Sequence, residues 1–259
     1  MGKAIAIFNQ KGGVGKTTTN INLAACLANK GKRVLVLDID AQGNTTSGLG
    51  LMKKSLDYTS YDLLIDGDLD PFKTIYKTSV ENLDIIPASV DLAGAEIELV
   101  QIEGREKRLK NALLRIRSYY DYIFIDCPPS LGLLTINALT AVDSVLIPIQ
   151  CEFYALEGVA QLISTIELVH KNMNPTLQIE GVILSMFDGR TNLSIQVVEE
   201  VKKYFGDKLY TTVIPRNVRL AEAPSYGLPI TLYDPRSKGA QAYEAFAEEF
   251  LRTEALNGN

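Results

Sequence analysis

A chain of 259 residues with 46% hydrophobic and 22% charged residues has an ordinary globular composition, and no apolar run approaches the roughly 18 residues of a membrane-spanning helix. Three scattered cysteines (Cys26, Cys127, Cys151) without a C-x-x-C pair, and the single His170, exclude the usual zinc, iron–sulfur and His-dependent triad chemistries. A net charge of −5 argues against a surface coated for nucleic acid, while leaving room for a local basic patch.

The start, Met1-Gly2-Lys3-Ala4-Ile5-Ala6, enters a strand pattern without a signal-peptide apolar region, so a cytoplasmic protein is expected. Residues 4–9 read as a buried strand, 16–30 as a helix ended by Gly31, and 33–38 as the next strand. Residues 43–70 are weakly periodic and predict a loop with one short helix over the sheet's edge. Further apolar runs at 83–86, 122–126, 144–149, 181–187 and 210–214 predict strands, with helices at 105–119, 155–171 and 194–205. Strands lacking polar alternation, separated by helices, specify an α/β fold: a mostly parallel sheet covered by helices on both faces. One domain is expected over residues 1–255, with 256–259 as a disordered tail.

Gln10-Lys11-Gly12-Gly13-Val14-Gly15-Lys16-Thr17-Thr18 follows the first predicted strand and opens the first helix, the context of a phosphate-binding P-loop. Glycines at Gly12, Gly13 and Gly15 let backbone amides, Val14 included, curl around phosphate oxygens at a helix N-terminus. Lys16 is placed to reach β- and γ-phosphates, and the Thr17 hydroxyl to bind Mg²⁺. The match departs from G-x-x-x-x-G-K-[ST], because Gln10 stands at the first glycine and Lys11 precedes the double glycine. Alone, the run also reads as a glycine turn capping a helix with Lys11 in solvent.

The second strand ends in Asp38-Ile39-Asp40-Ala41-Gln42-Gly43, and a later one in Asp126-Cys127-Pro128-Pro129-Ser130. Ligands of open α/β sheets gather at carboxyl ends of strands, so these acids are expected beside the phosphates. Asp40 is the candidate for positioning the attacking water and a further candidate for the metal; Asp126 would hold Mg²⁺ through water. Asp38 and Asp40 can equally terminate a strand and cap a turn. The stiff loop after Asp126 is placed to sense a γ-phosphate.

Together with Glu152-Phe153-Tyr154-Ala155-Leu156-Glu157-Gly158, Ile214-Pro215-Arg216-Asn217 and Tyr233-Asp234-Pro235-Arg236, these motifs resemble the ParA/MinD family of deviant Walker-A, P-loop ATPases. Within it, the chain resembles the chromosomal ParA proteins called Soj, over essentially its whole length. The resemblance implies an ATP- and Mg²⁺-dependent switch that hydrolyses ATP slowly. Its ATP-bound form is a homodimer in which Lys11 contacts the nucleotide held by the other subunit. It implies that Lys11, Lys16 and Asp40 serve hydrolysis, that Gly12 sits where a side chain would obstruct dimer closure, and that Thr18 joins the nucleotide contacts. The adenine is expected near Met186, Pro215 and Asn217.

Such proteins bind nonspecific double-stranded DNA in the nucleoid and release it when a ParB/Spo0J-like partner stimulates hydrolysis, driving chromosome or plasmid partition. Between Ser185 and Gly239 stand eight basic residues against six acidic ones, and Arg190, Arg216 and Arg219 are the DNA candidates. A related ATPase positioning a protein cargo is the alternative. A metabolic ligase of the same superfamily is a third reading, and is expected to carry an added substrate domain. Membrane attachment is not expected: residues 240–259 hold four acids and one arginine, and Phe246 and Phe250 are spaced for core packing. With Lys11 already in the loop there is no room before it for a DNA-reading domain, so operator-specific repression is not expected either.

Overall fold

The computed structural model describes residues 2–152 and 155–257. β1 (Lys3–Ile7) leads into α1 (Lys16–Asn29) and β2 (Val34–Asp38). Two short helices, α2 (Asn44–Gly48) and α3 (Ser60–Ile65), precede β3 (Tyr76–Lys77) and β4 (Leu83–Ile86). Next come α4 (Leu92–Leu99), α5 (Arg108–Ile116), β5 (Tyr122–Asp126), α6 (Leu133–Ala141) and β6 (Ser144–Gln150). The chain continues through α7 (Ala155–Asn172), β7 (Gln178–Phe187), α8 (Asn192–Phe205) and β8 (Leu209–Pro215). It ends in α9 (Val218–Glu222), α10 (Ile230–Tyr233) and α11 (Lys238–Asn257).

The strands form one eight-stranded sheet in the order β3-β4-β2-β5-β1-β6-β7-β8, parallel except for the edge strand β3. The two-residue side-chain period divides each strand between two cores. Ala4, Ala6, Leu35, Leu37, Ile123 and Ile125 pack beneath α4 to α8, whereas Ile5, Ile7, Val34, Val36 and Phe124 pack against α1 and α11. Both faces are therefore covered, as the uninterrupted apolar strands predict. Phe246 and Phe250 of α11 are fully buried, Phe246 meeting Tyr210 edge-on at 4.9 Å between ring centroids and Phe250 meeting Tyr122 at 5.4 Å. Among the described residues no helix is long and apolar enough to cross a membrane.

Several boundaries differ from the sequence reading. β1 stops at Ile7, because Asn9 already uses its side chain to shape the following loop. Residues 43–70 hold two α-helices, not one; α3 starts from a capping box in which Thr59 N donates to Asp62 Oδ2 (2.7 Å). The helix expected over 105–119 is α5 flanked by 3₁₀ turns at Arg105–Lys107 and Arg117–Tyr119. Nothing in the sequence marks α6, which is buried nearly all round and lacks the polar face that makes a helix legible. The tail expected to be disordered begins inside α11; residues 258 and 259 lie outside the described ones, as do 153 and 154 of the 152–158 motif.

Candidate active site

Parallel register sets the frame. Ile7 pairs with Asp126, and Asp126 with Asp38, so the end of β1 and two strand-terminal acids lie side by side. The loop between β1 and α1 is shaped by its glycines, Gly13 at φ 76° and Gly15 at φ 90°, conformations that residues with a Cβ rarely adopt. Neighbouring strands hold it in place. Ser185 Oγ of β7 donates to Val14 O (2.7 Å), and Asn9 donates to Pro148 O (2.8 Å) while accepting from Lys11 N (3.0 Å). Gln10, at the position of the missing glycine, donates to Thr165 Oγ1 of α7 (2.9 Å).

Lys16 is 7% exposed, and its ammonium donates to Lys11 O (2.9 Å) within the loop. Burial lowers its pKa, against the opposing pull of Asp126 and Asp40. Thr17 Oγ1 donates to Asp126 Oδ2 (2.8 Å), which also accepts from Thr45 Oγ1 of α2 (2.7 Å). The other oxygen, Asp126 Oδ1, is buried without a partner. Burial first, and then the charge of Asp38, push the Asp126 carboxyl above the ordinary carboxylate range. A carboxylate oxygen left unpaired beside a threonine hydroxyl is the hard-oxygen donor set that Mg²⁺ accepts.

Asp38 is a turn cap. It is fully buried and accepts from Thr46 N (2.8 Å), Thr46 Oγ1 (2.7 Å) and Asp40 N (3.2 Å). Asp40 reaches the site: it lines a cavity of about 590 Å³ together with Gly12, Gly13, Gly15, Lys16, Thr17, Thr18 and Met186. Pro128, Pro129 and Ser130, on the loop after β5, line the same cavity as a lip. Met186 reaches it through a bulge at the end of β7, with φ 51°, a strained value for a side-chain-bearing residue.

Other expected residues lie apart from this cavity. Val14 is buried, and its carbonyl accepts the Ser185 hydroxyl. The ammonium of Lys11 pairs with Glu152 of its own chain, beside a separate small cavity. Pro215 and Asn217 do not line the large cavity; Asn217 Oδ1 caps α9 by accepting from Arg219 N (2.8 Å). Conversely, Thr45, Leu92, Ala93 and Glu96 belong to the site and went unread. The Thr45-Thr46 pair following Asp40-Ala41-Gln42-Gly43 was a usable signal for α2, since hydroxyls next to strand-end acids satisfy buried carboxylates. Nothing local in the sequence marks α4.

Of the three arginines, Arg190 and Arg216 lie close enough that both depress the Asp188 carboxyl, to about 2, with the Arg190 hydrogen bonds the larger cause. Arg190 and Asp188 form a two-point pair (2.9 and 2.7 Å). Arg219 contacts Glu222 at 2.9 Å and Asp234 at 3.5 Å. All of these groups are on the surface.

A family model described as "AAA domain" matches residues 2–179. The chain is 66% identical over 249 residues to the sporulation initiation inhibitor protein Soj of Bacillus subtilis, covering 96% of this chain and 98% of that one. Among solved structures it resembles MinD of Pyrococcus horikoshii complexed with Mg-ADP (TM-score 0.80, 30% identity, 96% of each chain). It also resembles cobyrinic acid a,c-diamide synthase of Mycobacterium smegmatis with bound ADP and magnesium (TM-score 0.85, 39% identity, 97% of this chain and 95% of that one). This chain covers 95% of that second one, so the two match without a large added domain to tell them apart. By its loop, its strand-end acids and its full-length similarity, the chain belongs to the ParA/MinD family of P-loop ATPases, within the Soj/ParA chromosome-partitioning group.

Proposed function

We propose that this protein is an ATP-driven dimerisation switch that binds DNA without sequence preference and hydrolyses ATP slowly during chromosome or plasmid partition. The observation that carries this reading is one cavity bringing the P-loop, Lys16, Thr17 and Asp40 together, with Lys11 on the same loop but turned away from it. A lysine facing away from its own cavity is free to serve another protomer's once it leaves Glu152. The γ-phosphate would then make pairing conditional on ATP.

In hydrolysis, water attacks the γ-phosphorus as the bond to the bridging oxygen breaks, and ADP departs with that electron pair. Asp40 orients the water, Lys16 neutralises charge on the β,γ oxygens, and backbone amides of Gly13–Lys16 bind the phosphates. Thr17 and Asp126 would hold Mg²⁺, which would supply further charge neutralisation at the phosphates. The Arg190, Arg216 and Arg219 groups face DNA phosphates when two protomers pair, and a ParB-type partner accelerates release. The protein is then cytoplasmic and nucleoid-associated.

Two tests separate the parts. Retention of wild type on a mixed-sequence duplex should require ATP, and Arg219→Glu should weaken it at least about tenfold at moderate salt, through lost phosphate contacts and added repulsion. Equal retention of the two proteins removes DNA from the reading. Gly12→Val tests dimer closure. A Cβ at Gly12 meets nothing within 4 Å, so the fold accepts it, yet the branched chain projects from the loop that must face the other protomer. The variant should bind ATP like wild type and elute as a monomer, and a normal ATP-dependent dimer on light scattering rejects the closure role.

A further inference from the structure

Glu96 is the unassigned acid of the cavity. It lies one turn beyond Leu92 on α4, and the pair lines the wall beside Pro128–Ser130. Its Oε1 is buried and has no hydrogen-bond partner, an unfavourable state for a carboxylate. The carboxylate sits against the Cα of Gly132, so closely that a Cβ there would come within 1.8 Å of Oε1 and 2.7 Å of Oε2. Gly132 is the N-cap of α6, which has no side-chain cap and no acid in its first turn. Leu133 to Thr135, in the first turn of that nine-residue helix, have backbone N–H groups that cannot bond within it. Thr135 Oγ1 donates to Ser130 O (2.6 Å), tying the lip to the helix.

Three features thus meet: an acceptor lacking a donor, a helix start lacking a cap, and a glycine that lets them touch. We propose that Glu96 is a positioning residue that makes the site discriminate ATP from ADP, a role that rests on the ATPase reading above. A γ-phosphate arriving between Lys16 and the lip brings a second anion toward Glu96. The two anions are tolerated together only when N–H donors stand between them, and the start of α6, against which Glu96 already rests, supplies such donors. Drawing the 128–132 loop onto the γ-phosphate gives Glu96 Oε1 its missing donor and anchors the closed loop to α4. ADP, lacking that phosphate, leaves the lip where it is.

The test measures affinities for ADP and for a non-hydrolysable ATP analogue, both with magnesium, in wild type, Glu96→Ala, Glu96→Gln and Gly132→Ala. Glu96→Ala should lower the preference for the ATP analogue about tenfold with ADP affinity unchanged. Glu96→Gln, which keeps an acceptor of the same size, should fall between alanine and wild type. Gly132→Ala, whose methyl displaces the carboxylate, should behave like Glu96→Ala and covers the case in which that variant does not fold. Unchanged affinities, or equal losses for both nucleotides in folded protein, overturn the proposal. Wild type that binds neither nucleotide overturns the ATPase reading instead.

Discussion

Lys16→Ala is expected to weaken Mg·ATP binding about 100-fold or more while leaving the nucleotide-free fold intact. The ammonium is held inside the loop by a single contact to Lys11 O, and burial already opposes its charge. Its removal therefore takes no strong structural interaction from the empty protein; the Asp126 carboxylate keeps its two hydroxyl donors, Thr17 and Thr45. Bound triphosphate presents the lysine with oxygens of the β- and γ-phosphates. Hydrogen bonds to charged groups contribute about 1.5–3 kcal/mol each, so two of them amount to roughly 3–6 kcal/mol, or at least about 100-fold in affinity. Titration with a fluorescent ATP analogue measures the loss, and a thermal melt without nucleotide checks the fold. Near-normal affinity in a folded variant places the phosphates elsewhere.

What the sequence disclosed follows from range. The P-loop, the acid at the end of β5 and the doubly covered sheet were legible because each is a local pattern: a glycine run after an apolar strand, an acid closing a hydrophobic run, an alternation of strand and helix. The register that aligns Asp38 with Asp126 could be anticipated once both strands were read as parallel. Asp38 shows the limit of local reading. Its sequence context matches that of Asp40, but only the fold reveals Thr46 returning from α2 to occupy it.

The far wall of the cavity was illegible for a stronger reason. Leu92, Ala93 and Glu96 lie more than 70 residues from the P-loop, on a helix whose Leu-Ala-Gly-Ala-Glu-Ile-Glu-Leu sequence reads as unremarkable packing. Glu96 acquires meaning only from Gly132, the N-cap of another helix. Lys11 presents the inverse case: the sequence marked it, but its direction depends on Glu152, just past the end of β6.

Asp40 carries the largest expected effect on turnover, because its two readings make opposite demands on one substitution. Its Oδ1 accepts from Gln42 N (2.9 Å), and its own N–H donates to Asp38, so the side chain shapes the 40–43 turn as well as lining the cavity. Asp40→Ala removes both the turn contact and the charge, and is expected to cut hydrolysis at least about 100-fold, the range typical for a positioned acid–base group. ATP binding, which rests on the loop and Lys16, should survive, leaving a long-lived ATP-bound dimer on light scattering. Asp40→Asn keeps an oxygen able to accept from Gln42 N and removes only the anionic acceptor that would orient water. If Asp40 positions the nucleophile, asparagine is nearly as slow as alanine. If it only caps the turn, asparagine restores most of the rate, and single-turnover phosphate release at saturating ATP decides between them.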